Sequence, residues 1–247
     1  MKAMIFAAGL GSRFKPLTDT MPKALVPVLG KPLLEHVIEK LKANGFDEII
    51  INIHHFGDQI IQFLESKDNF GIRIETSDER AKLLDTGGAI KKASWFFDND
   101  ESILIHNTDI FSDVDISHVF ETHLKNKVMA TLVVNNRDTS RYLFFDKSNN
   151  LKGWINEKNG EVKSSSDFNP LKHKKLAFFG IHVLSGEAIQ YMKEFGDKFS
   201  IINFYLSICN KADVHAYIAD DNTMVDVGRL ESLKKAEEFI NAQKLKE

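Results

Sequence analysis

The sequence predicts an α/β fold: a Rossmann-like, doubly wound and mostly parallel sheet with helices on both faces, joined to a small antiparallel lobe. Three observations predict it. Over the first half, short runs rich in Ile and Val alternate with stretches whose apolar residues recur at helical spacing, the pattern of a parallel sheet covered on both faces. Beyond about residue 134, strand follows strand without an intervening helix. A glycine-rich turn also stands directly after the first apolar run, and open sheets of this kind bind ligands beyond the carboxyl ends of their strands.

The elements follow in order. Residues 3–8 are an apolar run, and Gly9-Leu10-Gly11-Ser12-Arg13 must then turn sharply. Four of the five prolines, Pro16, Pro22, Pro27 and Pro32, stiffen the loop that follows and its exit. Leu33, Leu34, Val37, Ile38 and Leu41 recur as one helix face, with Gly45 as a C-terminal stop. Residues 48–53 read as a buried strand, 58–65 as a short amphipathic helix and 72–76 as a third strand. Leu84-Asp85-Thr86-Gly87-Gly88 opens a helix through Ile90, Ala93 and Phe97, with Asp85 or Thr86 as N-cap. Its paired glycines read equally as a helix entry or as room for a flat ligand. Residues 103–105 form a strand ending at His106-Asn107-Thr108-Asp109, and Asp113 and Asp115 read as caps of the helix that follows.

In the second half, 129–134 is a strand, and 142–146 with 151–155 form a hairpin turning at Ser148-Asn149-Asn150. The polar stretch 157–175 is a solvated loop or a lid. Strand 176–184 is interrupted by Gly180, which marks a bulge or a close ligand contact. Helices at 187–195 and 201–209, a strand at 214–218 and a final helix from about Leu230 complete the chain. The division expected is a doubly wound part of the nucleotide-binding kind at about 1–134, a smaller antiparallel part at about 135–225, and a closing segment at about 226–247.

With 247 residues, 43% hydrophobic and 27% charged, the chain can bury one substantial core. A formal net charge of −3 argues against nucleic acid as a partner and leaves room for a local positive pocket. One cysteine, Cys209, excludes an internal disulfide and reads as a small core residue. No run approaches the length of a membrane span and no leader pattern opens the chain, so the expectation is a cytoplasmic protein without a membrane partner, a monomer or small homo-oligomer. His54 and His55, just past a strand end, read as loop structure before a metal site.

Chemistry concentrates in the loop after the first strand. Glycine tolerates positive φ and lets backbone N–H groups approach an anion, so such a loop can line several donors along a polyphosphate. Arg13 adds a forked grip on phosphate oxygens, and Lys23, held between Pro22 and Pro27, adds a point charge. The loop is neither a P-loop, lacking Gly-Lys-Ser/Thr, nor a dinucleotide fingerprint, because Phe14 stands at the third glycine position. Asp109, at a strand end, offers the hard oxygen that Mg²⁺ takes alongside phosphates and water.

The string Ala7-Ala8-Gly9-x-Gly11-x-Arg13, Pro16-Leu17-Thr18 and Pro22-Lys23-x-Leu25-x-Pro27 resembles the signature of the sugar-1-phosphate nucleotidyltransferases, and the resemblance runs from Lys2 to about Leu233. It implies the nucleotide-diphospho-sugar transferase fold. It also implies attack by a sugar-1-phosphate oxygen on the α-phosphorus of a nucleoside triphosphate, with release of pyrophosphate. Arg13 and Lys23 are then the catalytic cations, and Ala8, Gly9, Gly11, Glu79, Gly88 and Asn107 contact the nucleotide. Glu157, Lys158 and Gly180 hold the sugar phosphate. Val225-Asp226-Val227-Gly228 resembles the family's aspartate-valine-glycine motif, which makes Asp226 the second Mg²⁺ ligand beside Asp109; on local grounds alone Asp226 reads as a helix cap.

Three departures are visible. Thr108 replaces a family glycine, Asn159 stands where a proline follows Glu-Lys, and Arg229-Leu230 replaces Thr-Pro. Within the family the motif wording resembles the N-acetylmuramate-1-phosphate uridylyltransferases of cell-wall recycling, with guanylyltransferases acting on mannose- or heptose-1-phosphate as the alternative. From other classes, a catalytically silent nucleotide-sensing subunit and a dinucleotide-dependent oxidoreductase remain readings. The retained Arg13, Lys23, Asp109 and Asp226 argue against the first, and the missing third glycine against the second.

Overall fold

A computed structural model of the chain describes residues 1–97, 101–165 and 168–245. In chain order the elements are β1 (Lys2–Phe6), β2 (Pro27–Val28), β3 (Lys31–Pro32), α1 (Leu33–Ala43), β4 (Glu48–Ile53), α2 (Gly57–Ser66), β5 (Arg73–Asp78), α3 (Asp85–Ala93), β6 (Ile103–Asn107), β7 (Ile110–Ser112), α4 (Ile116–Asn126), β8 (Ala130–Asn135), β9 (Arg141–Phe145), β10 (Leu151–Asn156), β11 (Glu161–Ser164), β12 (Lys174–Leu184), α5 (Ala188–Met192), α6 (Ile201–Ile208), β13 (Val214–Ile218), β14 (Met224–Asp226) and α7 (Ser232–Lys244). They form two compact units interleaved in sequence: Met1–Leu83 with Ile105–Ile116 and Asn222–Glu247, and Leu84–Leu104 with Ser117–Asp221. The closing segment therefore joins the unit that contains the N-terminus, an assignment that only long-range contacts reveal.

In the first unit the strand order is β6-β1-β4-β5. β1 runs parallel to β4 from Lys2↔Glu48 to Phe6↔Asn52, and β4 runs parallel to β5 from Glu48↔Arg73 to Ile53↔Asp78. Ala3, Met4, Ile5, Ile49, Ile50 and Ile51 are all buried, as strands covered on both faces require. Helix α1 buries Leu34, Val37, Ile38 and Leu41 and ends where expected. Gly45 adopts φ 80° and donates to Lys42 O, while Phe46 N–H donates to Leu41 O, so a Schellman closure satisfies two otherwise orphaned carbonyls.

Three local features differ from the sequence reading. The proline-rich exit contains a small hairpin, β2–β3, turning through Leu29 and Gly30 at φ 51° and 76°. Asp113 caps no helix; its Oδ1 accepts from the N–H of Thr223 at 2.7 Å and from Asn222 Nδ2 at 3.3 Å, fastening the turn before β14. β14 then pairs antiparallel with β7 through Val225↔Phe111 and Asp226↔Ile110, so Asp226 is a strand residue and caps no helix. Runs of three residues carry too little periodicity to be read as strands.

The second unit has the order β11-β10-β9-β12, with β8 lying between β12 and β13. These pairs are antiparallel except β8–β13. The β9–β10 turn is held by Asp146, whose Oδ1 accepts from the N–H groups of Ser148 and Asn150 at 2.9 Å. The stretch expected as a loop or lid includes a strand, β11, on the edge of this sheet. Its one large apolar residue, Val162, is exposed, so burial leaves no alternation to detect. Ser166 and Asp167 of that stretch lie outside the described residues. Neither Asp85 nor Thr86 caps α3: Asp85 turns at φ 61° and accepts from Thr86 N–H, and Thr86 Oγ1 accepts from Ile201 N–H at 2.9 Å. Helix α5 is only five residues long, and Cys209 is half-buried, its Sγ donating to Leu206 O. No helix among the described residues is long and apolar enough to cross a membrane.

Two buried histidines set the acid response. Burial pushes His106 down to about 3, with the positive charge of Lys40 adding to the effect, and pushes His123 down to about 4. Below pH 6.5 the unfolded chain takes up protons that the folded chain refuses, so their contribution is complete above 6.5 and is lost as pH falls toward the folded values. Melting curves should show a falling transition temperature between pH 6.5 and 5, above the range in which carboxylates titrate. His106→Gln with His123→Gln should flatten that slope.

Candidate active site

The site is built from the bottom of the first unit's loop upward. Gly11 takes φ 64°, and a Cβ there would lie 2.8 Å from Thr18 Cγ2 and 2.9 Å from Lys23 Cβ. Its carbonyl accepts from Phe14 N–H and from Thr18 Oγ1, each at 2.8 Å. This glycine is required because the chain folds back on it. Gly9 differs: beyond its two chain neighbours no described atom lies within 4 Å of its Cβ position, and its exposed backbone remains available to a ligand.

Phe14, the residue that breaks the dinucleotide fingerprint, is fully buried. It packs in a small apolar cluster with Val26, Val28, Leu33, Phe111 and Val227, against which Val225 and Phe239 also rest. That cluster joins the loop, the β7 segment after Asp109 and the β14 segment around Asp226. The consequence is convergence. Lys23 Nζ pairs with Asp109 Oδ2 and sits 5.0 Å above the Phe14 ring. Val227 N–H donates to Asp109 O at 2.8 Å, which brings the backbones of the two aspartates to adjoining strand ends, one register step apart. A Cβ on Gly228 would stand 2.8 Å from Asp226 Oδ1 and within 3.5 Å of both Arg13 Nη atoms, so this glycine leaves space for the guanidinium beside the carboxylate.

Thr108 occupies the position of the family glycine without disturbing the strand end. Its Oγ1 and its N–H both donate to Phe6 O, locking β6 to β1 immediately before Asp109. His106 Nδ1–H donates to Asn107 O at 2.8 Å. Half-buried Lys40 donates to Ser112 O and Oγ, tying α1 to β7; burial pushes it down to about 8 against the pull of Asp113 and Asp115.

Ala8 is buried at the root of the loop, and Asn107 is half-buried at the end of β6. Glu79 follows β5 and is buried, with its Oε1 accepting from Asn52 Nδ2 at 2.8 Å. Two of these neighbours escaped the sequence reading: Asn52, whose signal was a lone amide inside an isoleucine run, and Gly228 as a spacer. Among the described residues, His54 and His55 belong to no group of three or more side chains that could hold a metal. His54 Nδ1–H donates to Glu79 O at 2.7 Å, and His55 rests on Phe56.

The remaining sequence candidates belong to the second unit. A Cβ on Gly88 would meet Asp197 O at 2.0 Å, so the close approach that this glycine permits is made by the chain itself. Glu157 pairs with Lys175 rather than with Lys158, and Lys175 Nζ also lies 3.9 Å from the centroid of Tyr142. Gly180 sits at φ 76° in a register shift between Phe178 and His182, the bulge that its position in a strand implied.

The family described as Nucleotidyl transferase matches residues 2–243. The chain belongs to it. Among its relatives, this nucleotidyl transferase is 30% identical to the D-glycero-alpha-D-manno-heptose 1-phosphate guanylyltransferase of Campylobacter jejuni over 229 residues, 92% of this chain and 95% of that one. It is 43% identical to the N-acetylmuramate alpha-1-phosphate uridylyltransferase of Neisseria meningitidis over 122 residues, 49% of this chain. The chain spans 52% of the length of that relative, and 37% and 38% of two further uridylyltransferases, from Synechocystis and Caulobacter vibrioides. A solved structure of a putative glucose-1-phosphate thymidylyltransferase from Bacillus anthracis shares the fold, with a TM-score of 0.81 at 22% identity, covering 97% of this chain and 94% of that one.

The two loop glycines should respond differently to substitution. Gly11→Ala should cost about 1–3 kcal/mol in denaturant titrations, because it strains both φ and packing. Gly9→Ala should stay within about 0.5 kcal/mol of the parent.

Proposed function

We propose that this nucleotidyl transferase condenses a nucleoside triphosphate with a sugar-1-phosphate, releasing pyrophosphate and forming an NDP-sugar. The observation that carries the proposal is the pairing of Lys23 with Asp109 and the approach of Arg13 to Asp226 at Gly228, groups drawn from three separate parts of the sequence. The sugar phosphate is already an anionic nucleophile, so the protein must bring two polyanions together and offset charge that builds at the transferring phosphorus. Backbone N–H groups of the Gly9 to Arg13 loop bind the triphosphate. Arg13 steadies the departing pyrophosphate, and Lys23 leaves Asp109 to bridge the α-phosphate and the incoming oxygen. Glu157, Lys158 and Gly180, in the second unit, take the sugar-phosphate role that the resemblance gives them.

Asp109 and Asp226 fit Mg²⁺ by their chemistry: two hard carboxylates on adjoining strand ends, the protein share that this ion usually takes. The ion would supply neutralisation of phosphate charge when bound. For the substrates we favour UTP with N-acetylmuramate-1-phosphate, supported by the motif wording and by the 43% identity to the Neisseria relative. GTP with a mannose- or heptose-1-phosphate is the second reading, supported by the match to the Campylobacter relative along 92% of the chain.

Pyrophosphate release across four nucleoside triphosphates and a panel of sugar-1-phosphates tests the proposal. Turnover with UTP and N-acetylmuramate-1-phosphate is the expected result. Activity with GTP alone would select the second reading, and tight nucleotide binding without turnover on any pair would favour a sensing subunit. Lys23→Ala and Asp226→Asn should each lower kcat by about 100-fold or more while the fold is retained. Near-parental rates in either variant would show that the residue has been misassigned.

A further inference from the structure

One peptide unit, Phe6–Ala7 at the end of β1, is gripped on both edges by side chains from the neighbouring strand ends. Its carbonyl accepts from Thr108, next to Asp109. Its N–H donates to Asn52 Oδ1 at 2.8 Å, and the same amide donates through Nδ2 to Glu79 Oε1 at 2.8 Å, both bonds being buried. Asn52 lies opposite Phe6 in the parallel ladder, so its side chain takes the β1 donor just where the backbone ladder ends. Glu79 is held by three consecutive residues: its side chain by Asn52, its N–H by the Ile53 carbonyl at 2.7 Å, and its carbonyl by His54 Nδ1–H. A carboxylate only accepts and a hydrocarbon does neither, whereas the amide accepts at one end and donates at the other. An Asn inside an otherwise isoleucine-rich, buried strand costs stability unless both ends are used.

We infer that Asn52 is a positioning residue for nucleotide binding, holding Glu79 in fixed relation to the root of the loop that binds the triphosphate. The inference rests on the proposed reaction and on the nucleotide contact that family resemblance gives Glu79. It goes further by assigning the geometry between the Glu79 contact and the triphosphate to a side chain that the resemblance gives no nucleotide contact. Because Glu79 and the loop are tied through one amide, loss of the tie alters how the nucleotide is held and leaves the sugar phosphate alone.

A double-mutant cycle that exchanges amide and carboxylate tests this. Asn52→Asp keeps the acceptor for Ala7 N–H but sets a carboxylate against Glu79, and should raise the KM for the nucleoside triphosphate about tenfold or more, with the KM for the sugar-1-phosphate within about twofold. Adding Glu79→Gln restores a bond of reversed direction, so the double variant should return to within about threefold of Glu79→Gln alone. Strictly additive effects, or a fall in kcat with both KM values unchanged, would overturn the inference. Amide hydrogen exchange at Ala7 in the unaltered protein gives a second measurement that needs no variant to fold: slow exchange supports the tie, and exchange at the rate of an open loop overturns it. If the unaltered protein turns over no substrate pair, the proposed reaction falls. The same cycle is then read as nucleotide Kd, so the two failures are distinguishable.

Discussion

The placement of the loop's cations against the two aspartates depends on the burial of Phe14. A loop rich in glycine and cationic side chains gains little by ordering itself, since fixing each residue costs on the order of 1–2 kcal/mol and its charges prefer water. Phe14 offsets this by entering a small apolar cluster with Val227, Phe111 and Val28. A buried Phe carries enough apolar area to matter, and truncating one in a core typically costs about 3–5 kcal/mol. Because cluster members lie within two residues of each aspartate, the energy that orders the loop also brings these acidic residues to it. Packing and charge placement are the same event here.

Much of this was legible in the sequence, and the exceptions have physical causes. Long elements with clear periodicity, such as α1 and β4, declare themselves through 3.6-residue and continuous apolar patterns. The loop is legible because its glycines, prolines and cations cluster within a few residues. β7, β11 and β14 are not. Each is three or four residues long, and β11 is exposed, so neither alternation nor burial marks it. The acidic side chains around them point locally to helix caps, and only tertiary pairing turns Asp113 into a clasp for Thr223 and Asp226 into a strand residue.

Glycines show the same limit at finer scale. Gly9, Gly11 and Gly88 all read as places where a ligand comes near, and Gly228 as part of a motif. In the folded chain Gly11 makes room for Thr18 and Lys23, Gly88 for the Asp197 carbonyl, and Gly228 for Arg13 beside Asp226. Of these four, Gly9 alone has no described neighbour at its Cβ position beyond the adjoining residues. A missing side chain records a close approach without recording what approaches, and the difference becomes visible when the surrounding atoms are in place. Asn52 is the converse case: an amide in a hydrophobic strand is conspicuous in sequence, yet its two partners lie 45 and 27 positions away.

The placement of β14 has a consequence for biosynthesis. Arg13 and Lys23 leave the ribosome early, but Asp226 is the last of the four charged groups to be added, and Val225 and Val227 arrive with it. A nascent chain that has folded its first sheet therefore still exposes Phe14 and Phe111 with part of their covering absent. Until translation delivers that late strand, the growing polypeptide carries an open apolar patch for which a chaperone, or another unfinished copy, is a ready partner.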